Sequence, residues 1–472
     1  MKRICKLFIL AIAIVLFVAG SVLGYLHATK DKRAMEADFE RIASTEFNTA
    51  FLSMYPIDSY NEEDFSYFRE MELFKTGYSI PDAETLHNYV NTIFSTGNEI
   101  TTLYLGIHPE AIDPYEIYSL IELYPGLEYK ILLATPTLDY WAALPEETFL
   151  PTLESYSNFV NLLLPLEQVE IYSFFNAEWL ITNPANYDSD FGLNKAASRV
   201  VFLNADSDHG YLITMENVED VFIDFTEIVQ EYRNEPPTYP DLSEYELVFF
   251  GDSVIGNYEV GIGIPGMVGG FTNASFHNLG HGGASAAQED ADDTSFPKLV
   301  NALISKDVSL LDPEANSTIN MITYHDKWFK ERNKCFVISF GLNDFFEGHP
   351  VDSTDPYDIS TYSGALRTGI KALQEKYPDA YILVLTPNFT IINDFGASAA
   401  NENGGVLLDY VDAAIAVAEE MNVDVLDIYR ELDIDAKNQE EYLEDGTHPN
   451  MSTRLEISRM IVEVLEKLAT VE

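Results

Sequence analysis

From residue 246 onward, five short apolar runs recur at domain-like spacing: Glu246–Phe250, Ser275–Leu279, Cys335–Phe340, Ala380–Leu385 and Val423–Ile428. Helix-periodic stretches separate them. Pro297–Ile304 is apolar on one face, Ser363–Tyr377 carries Leu366, Ile370 and Leu373 at helical spacing, Leu407–Met421 is Ala-rich, and Thr453–Leu468 closes the chain. Strand alternating with helix is the pattern of α/β layers around a largely parallel sheet, because parallel neighbours need a crossover. Upstream, residues 34–235 show the same alternation. Pro236-Pro237-Thr238-Tyr239-Pro240 between the two regions breaks any helix and reads as a linker over residues 236–241. The expected organisation is therefore an N-terminal α/β region (34–235), a linker and a second α/β domain (242–472). A chain of 472 residues is long enough for both cores.

The first residues bear on compartment. Met1-Lys2-Arg3-Ile4-Cys5-Lys6 is basic, and Leu7 to Leu26 then runs 20 residues without a charge. That length spans a bilayer as a helix and exceeds the apolar core of an ordinary signal peptide. Residues 1–29 are expected to be an uncleaved signal anchor, a single transmembrane helix with the body outside the cytoplasm. A cleaved signal peptide and a secreted protein is the alternative. Cys5 precedes the apolar run and is not placed for a lipoprotein signal.

Charge and cysteine content exclude several classes. The formal net charge is −50, from 77 acidic against 27 basic residues. Such a field repels phosphate backbones and anionic lipid surfaces, so nucleic acid is not an expected partner. The only other cysteine, Cys335, lies in an apolar run and reads as a buried small hydrophobe. Two cysteines give neither a disulfide framework within a domain nor a zinc spacing, and no metal or cofactor is expected.

Four short motifs stand just past the carboxyl ends of strand candidates or before the last helix, where open α/β sheets bind ligands. They are Gly251-Asp252-Ser253, Asn278-Leu279-Gly280-His281-Gly282-Gly283-Ala284-Ser285, Gly341-Leu342-Asn343-Asp344 and Asp445-Gly446-Thr447-His448. Taken singly, each has a plain reading. Ser253 suits a helix N-cap, the glycines suit a turn, Asn343-Asp344 suits a loop cap, and His448 suits the surface. Together they are the parts of an acyl-transfer site. A serine hydroxyl needs an adjacent base, which His448 can supply, and Asp445 can hold that imidazole in one tautomer. The oxyanion of a tetrahedral intermediate wants preorganised donors. The backbone N–H groups of Ser253 and Gly283 and the side-chain amide of Asn343 are candidates.

On these four blocks, in this order, the second region resembles the GDSL or SGNH hydrolase family, with Ser253, Gly283, Asn343 and His448 as the four signature residues. The resemblance covers roughly residues 246–468. It implies a three-layer α/β/α, flavodoxin-like fold and hydrolysis of an ester through an acyl-enzyme, with Ser253, His448 and Asp445 catalytic and no metal. The family spans lipases, thioesterases, carbohydrate deacetylases and acyltransferases. Given the compartment, the expected substrate is an O-acyl (acetyl) ester of a glycan or small molecule. An O-acyltransferase with the same triad and a non-catalytic carbohydrate-binding surface protein are the rivals. His277, His281 and His349 lie near the blocks and read as polar loop histidines.

Residues 99–200 echo the later part of that domain without its chemistry. Tyr104-Leu105-Gly106 parallels Ser339-Phe340-Gly341. Tyr124-Pro125-Gly126 before the run 129–136 parallels Tyr377-Pro378-Asp379 before the run 381–387. Val169–Phe174 parallels Val423–Ile428, and Tyr187–Asn194 parallels Leu443–Asn450, with Leu193 in the place of the histidine. The expectation is a degenerate, catalytically silent SGNH-like half. Tyr140-Trp141, Glu178-Trp179 and the stretch 183–187 could stack on sugars, but a core role is the commoner fate of such aromatics.

Overall fold

The computed structural model describes residues 33–54, 73–75, 80–175, 177–183, 186–189, 192–193, 211–256, 263–288, 294–309, 311–312, 315–323, 332–391, 400–401, 403 and 405–469. The expected anchor, residues 1–29, lies outside them. Among the described residues no helix is long and apolar enough to cross a membrane.

These residues form two compact units. The first is built from 33–175, 187–189, 192–193 and 211–230, the second from 177–183, 186 and 231–469. In the first unit, strands β1 (Thr49–Ser53), β2 (Leu73–Lys75), β3 (Thr102–Ile107), β4 (Glu128–Leu133) and β5 (Val169–Tyr172) form a parallel sheet of order β2-β1-β3-β4-β5. A short hairpin pairs β6 (Tyr187–Ser189) with β7 (Gly192–Leu193), and β8 (Leu212–Ile213) adds an antiparallel edge to β5.

Local signals set the crossovers of this unit. Asp82 caps helix Ala83–Ser95 by accepting the Thr85 N–H at 2.8 Å, and Leu86, Tyr89, Val90 and Ile93 bury its apolar stripe. Asp113 caps helix Pro114–Leu123, with proline at the first helical position, where its missing N–H costs nothing. Trp141 is fully buried in edge-on contact with Phe149, Tyr156, Phe175 and Phe225. It is a core residue, as the commoner fate of such aromatics implied.

In the second unit, β9 (Tyr245–Gly251), β10 (Ser275–Asn278), β11 (Asn333–Ser339), β12 (Tyr381–Leu385) and β13 (Asp424–Leu426) form an all-parallel sheet of order β10-β9-β11-β12-β13. Each expected strand is present within two residues of its expected ends. Helices Phe296–Ser305, Tyr362–Lys376 and Leu407–Met421 pack together as one layer, and Ile264–Thr272 packs with Met451–Ala469 as another. This is the three-layer, flavodoxin-like order in which ligands meet the carboxyl ends of the strands. The central strands read as continuous apolar runs because both faces are covered. Glu246 is the exception, fully buried in β9. The Lys334 ammonium, from the neighbouring residue of β11, donates to its carboxylate at 3.0 Å.

Trp179, from the segment 177–183, is buried within this second unit. A Cβ on Gly270 would lie 2.4 Å from its ring, and the Asn183 amide donates to the Gly270 and Phe271 carbonyls at 2.9 Å. Neither tryptophan offers a face for stacking on a sugar.

Candidate active site

Strand β9 ends at Gly251, and the chain turns at once into a short helical turn, Ser253–Gly256. Asp252 makes that turn. Its Oδ1 accepts the Val254 N–H at 3.0 Å, and its carbonyl accepts the Ile255 and Gly256 N–H groups. The cap is thus the aspartate and not the serine, which leaves the Ser253 hydroxyl free for another partner. A Cβ on Gly256 would stand 2.5 Å from the carbonyl carbon of Gly280, so only glycine lets this turn approach the loop after β10.

The partner of Ser253 comes from 195 residues downstream: His448 Nε2 lies 2.9 Å from Ser253 Oγ. The other ring nitrogen, Nδ1, lies 2.7 Å from Asp445 Oδ2. Asp445 Oδ1 meanwhile accepts the N–H groups of Thr447, at 3.0 Å, and His448, at 2.8 Å. One carboxylate therefore folds the loop and fixes the ring. Burial alone would raise the Asp445 pKa, but these bonds from His448 and Thr447 outweigh it and hold the carboxyl below the usual range. An ionised carboxylate only accepts, so Nδ1 carries the proton, and Nε2 of the neutral ring is left to accept from the serine hydroxyl.

Residues that the motifs did not flag support the loop. The Asn388 amide donates to the Thr447 carbonyl at 2.9 Å, and the Thr390 and Thr447 hydroxyls are 2.6 Å apart. Arg454 donates to the Pro449 carbonyl at 2.6 Å and to Glu444 at 2.7 Å. The signal for Asn388 and Thr390 was their place after β12, at the same sheet edge as the other blocks.

Asn343 and Gly283 are brought to one place. Asn343 lies in helix Leu342–Glu347, just past β11, and its Nδ2 donates to the Ala284 carbonyl at 2.9 Å. Gly283 has a φ of +79°, a conformation that favours glycine, and the position of a Cβ there is open space. Asp252 and Asp344 are both buried. Burial pushes the Asp252 carboxyl up to about 7, the Val254 N–H opposing and the Asp344 charge adding. Burial pushes Asp344 up to about 6, with the Ala287 and Ala286 N–H groups opposing. Of the three histidines near the blocks, His277 is buried in β10, His281 donates its backbone N–H to the Gly251 carbonyl, and His349 lies 3.0 Å from Glu347. Cys335 is buried in β11, and burial raises its thiol pKa. Among the described residues no group of three or more His, Cys, Asp or Glu side chains is placed to hold a metal ion.

Residues 249–452 match the model of the GDSL-like lipase/acylhydrolase family. The C-terminal half of this chain is a GDSL-like lipase/acylhydrolase domain. The chain is accordingly a hydrolase acting on ester bonds. Solved structures similar to the domain include a protein from Lactobacillus plantarum (19% identity, 49% of this chain and 98% of that one, TM-score 0.38). A member of the lipolytic G-D-S-L family from Veillonella parvula is 18% identical over 48% of this chain and 100% of its own, with a TM-score of 0.30. The native aryl esterase of M. smegmatis is 16% identical over 48% and 99%, with a TM-score of 0.32. No curated protein matches the chain.

Proposed function

We propose that the acylhydrolase domain acts through a catalytic triad of Ser253, His448 and Asp445. The observation that carries this reading is the unbroken relay from Ser253 Oγ to His448 Nε2 (2.9 Å) and from Nδ1 to Asp445 Oδ2 (2.7 Å). His448 takes the hydroxyl proton as Oγ attacks the ester carbonyl, and Asp445 stabilises the imidazolium. The carbonyl oxygen becomes an oxyanion held by the N–H groups of Ser253 and Gly283 and the second amide hydrogen of Asn343, whose first is spent on Ala284. Collapse expels the alcohol, which takes its proton from His448. Water, deprotonated by the same imidazole, then releases the acid.

The substrate in this reading is an O-acyl ester, with O-acetyl groups of an extracytoplasmic glycan as the leading case. Residues 1–29 would tether the enzyme to the membrane with its body outside the cytoplasm. An acyltransferase would use the same triad with a sugar hydroxyl in place of water, and a product assay separates the two. The first unit is proposed to be a silent SGNH-like half. In support, both sheets have the same order of five parallel strands. Tyr187 pairs with Leu193 across the hairpin as Leu443 pairs with Pro449 across the triad loop. In this reading, matched residue by residue from Tyr187 and Leu443, Gly192 stands opposite His448 and Ser189 opposite Asp445, while Leu193 falls opposite Pro449.

The decisive experiment labels the full chain and its Ser253→Ala variant with a fluorophosphonate while following hydrolysis of nitrophenyl esters from acetyl to long-chain. The triad requires loss of labelling and of turnover together. Equal labelling of both proteins would remove Ser253 as the nucleophile.

A further inference from the structure

The loop after β10 is held from two sides of Gly283. On its early side, the Asn278 amide donates to the Ile255 carbonyl at 2.9 Å and the His281 N–H to the Gly251 carbonyl at 3.0 Å. These contacts tie residues 278–281 to the strand and turn that carry Ser253. On its late side, the loop is held by helix Leu342–Glu347. Asp344 Oδ2 accepts the Ala286 N–H and Oδ1 the Ala287 N–H, each at 2.8 Å. From the same helix Asn343 donates to the Ala284 carbonyl, and Glu347 accepts the Ser285 hydroxyl at 2.6 Å. Gly283 itself has a left-handed backbone and no side chain to pack, so the direction of its N–H is set by these flanks.

The chemistry of Asp344 fits this task and no other seen in the site. It is fully buried, and its two oxygens meet two successive backbone N–H groups. Two parallel donors need two acceptors on one short stem. A carboxylate supplies them, whereas an amide turns one of its two ends into a donor facing a donor. Burying an acid is costly, and hydrogen bonds that satisfy both oxygens offset the cost.

We propose that helix Leu342–Glu347 is a clamp on the oxyanion donors, with Asp344 as its positioning residue and the Ser285–Glu347 bond as a weaker second hold. Asp344 fixes residues 286–287. That places the Gly283 N–H and the Ala284 carbonyl, and the Ala284 carbonyl in turn orients the Asn343 amide. Asp344 touches no reacting atom. The proposal rests on the reading that Gly283 and Asn343 are the oxyanion donors. A donor displaced by about 1 Å can cost about 100-fold in rate while leaving ground-state binding alone.

The test is steady-state hydrolysis of p-nitrophenyl acetate by the full chain carrying Asp344→Asn, Asn343→Ala or both, with Ser285→Ala and Ser253→Ala alongside. Asp344→Asn is expected to lower kcat about 10- to 100-fold with KM within about 3-fold. In the Asn343→Ala background the same change should cost several-fold less, because part of what Asp344 orients is gone. Ser285→Ala should lower kcat about 2- to 5-fold, also less in that background. If Asp344→Asn does not accumulate as folded protein by circular dichroism, the Ser285→Ala and Asn343→Ala pair is scored the same way. Wild-type kcat in the folded clamp variants, a change in KM alone, or losses that simply multiply with Asn343→Ala would each overturn the clamp. Failure of the underlying reading looks different: Ser253→Ala would keep turnover, or Asn343→Ala would keep kcat.

Discussion

The two sheets of this chain share an architecture and differ in what their loops carry. Each has five parallel strands in the order second, first, third, fourth, fifth, and the central strands of each are largely buried. In the second, the first strand runs into Asp252-Ser253, the third into Asn343, and the loop closed by the Leu443–Pro449 bridge carries Asp445 and His448. In the first, the third strand runs into His108-Pro109-Glu110, and the β6–β7 hairpin pairs Tyr187 with Leu193 and Ser189 with Gly192. The lesson is that sheet order follows from burial and crossover geometry, which many sequences satisfy. Chemistry follows from a few side chains at loop positions, which substitution removes without cost to the sheet.

The comparison breaks first at the relay. Ser253→Ala or His448→Ala should reduce kcat by roughly 10⁴- to 10⁶-fold, and the double variant should be little worse than either, because the parts act as a unit. Substantial residual turnover, measured on a nitrophenyl ester, would refute the relay as the source of catalysis and with it the contrast between the two units. Next in size, Asp445→Asn should cost roughly 10⁴-fold by presenting the wrong tautomer. A much smaller loss would reduce Asp445 to the loop-former that its bonds to Thr447 and His448 also make it. Asn343→Ala should lower kcat about 10²- to 10³-fold, more than it raises KM. An unchanged kcat would take Asn343 out of the oxyanion site.

The remaining predictions concern stability. Asn388→Ala removes the amide that holds the Thr447 carbonyl and should lower stability by about 1–2 kcal/mol, read as a shift in the urea midpoint. Asp252 tests the cost of an acid beside the nucleophile. Its folded pKa, about 7, lies above its unfolded value, so the folded state binds the proton more tightly. That contribution is fully present below the unfolded pKa and is lost as pH rises from there through about 7. Asp252→Asn keeps the acceptor for the Val254 N–H and loses the titration. Its melting temperature should depend less on pH between about 4 and 8 than that of the wild type and should exceed it at pH 8. Parallel pH curves for the two proteins would show that Asp252 titrates alike in both states. In the first unit, Ser53→Ala should change ester hydrolysis by less than about 2-fold, since Ser53, at the end of β1, is no member of the Ser253–His448–Asp445 relay.

Strand and helix placement, the four blocks and the members of the relay were legible from residue order, because hydrophobic period and turn chemistry act over a few neighbours. Whether Ser253 caps the turn or meets His448 was not. It depends on Asp252 taking the cap and on His448 arriving from 195 residues away, and only the folded sheet sets both. The buried role of Asp344 was likewise hidden, since its partners are backbone N–H groups of Ala286 and Ala287, which carry no mark in sequence. The shared order of the two sheets was not legible from the scattered Tyr-Pro and glycine matches, because it rests on which strands pair across the crossovers. Local propensity is written residue by residue, whereas pairing between distant groups is fixed only when burial and crossover geometry bring them together.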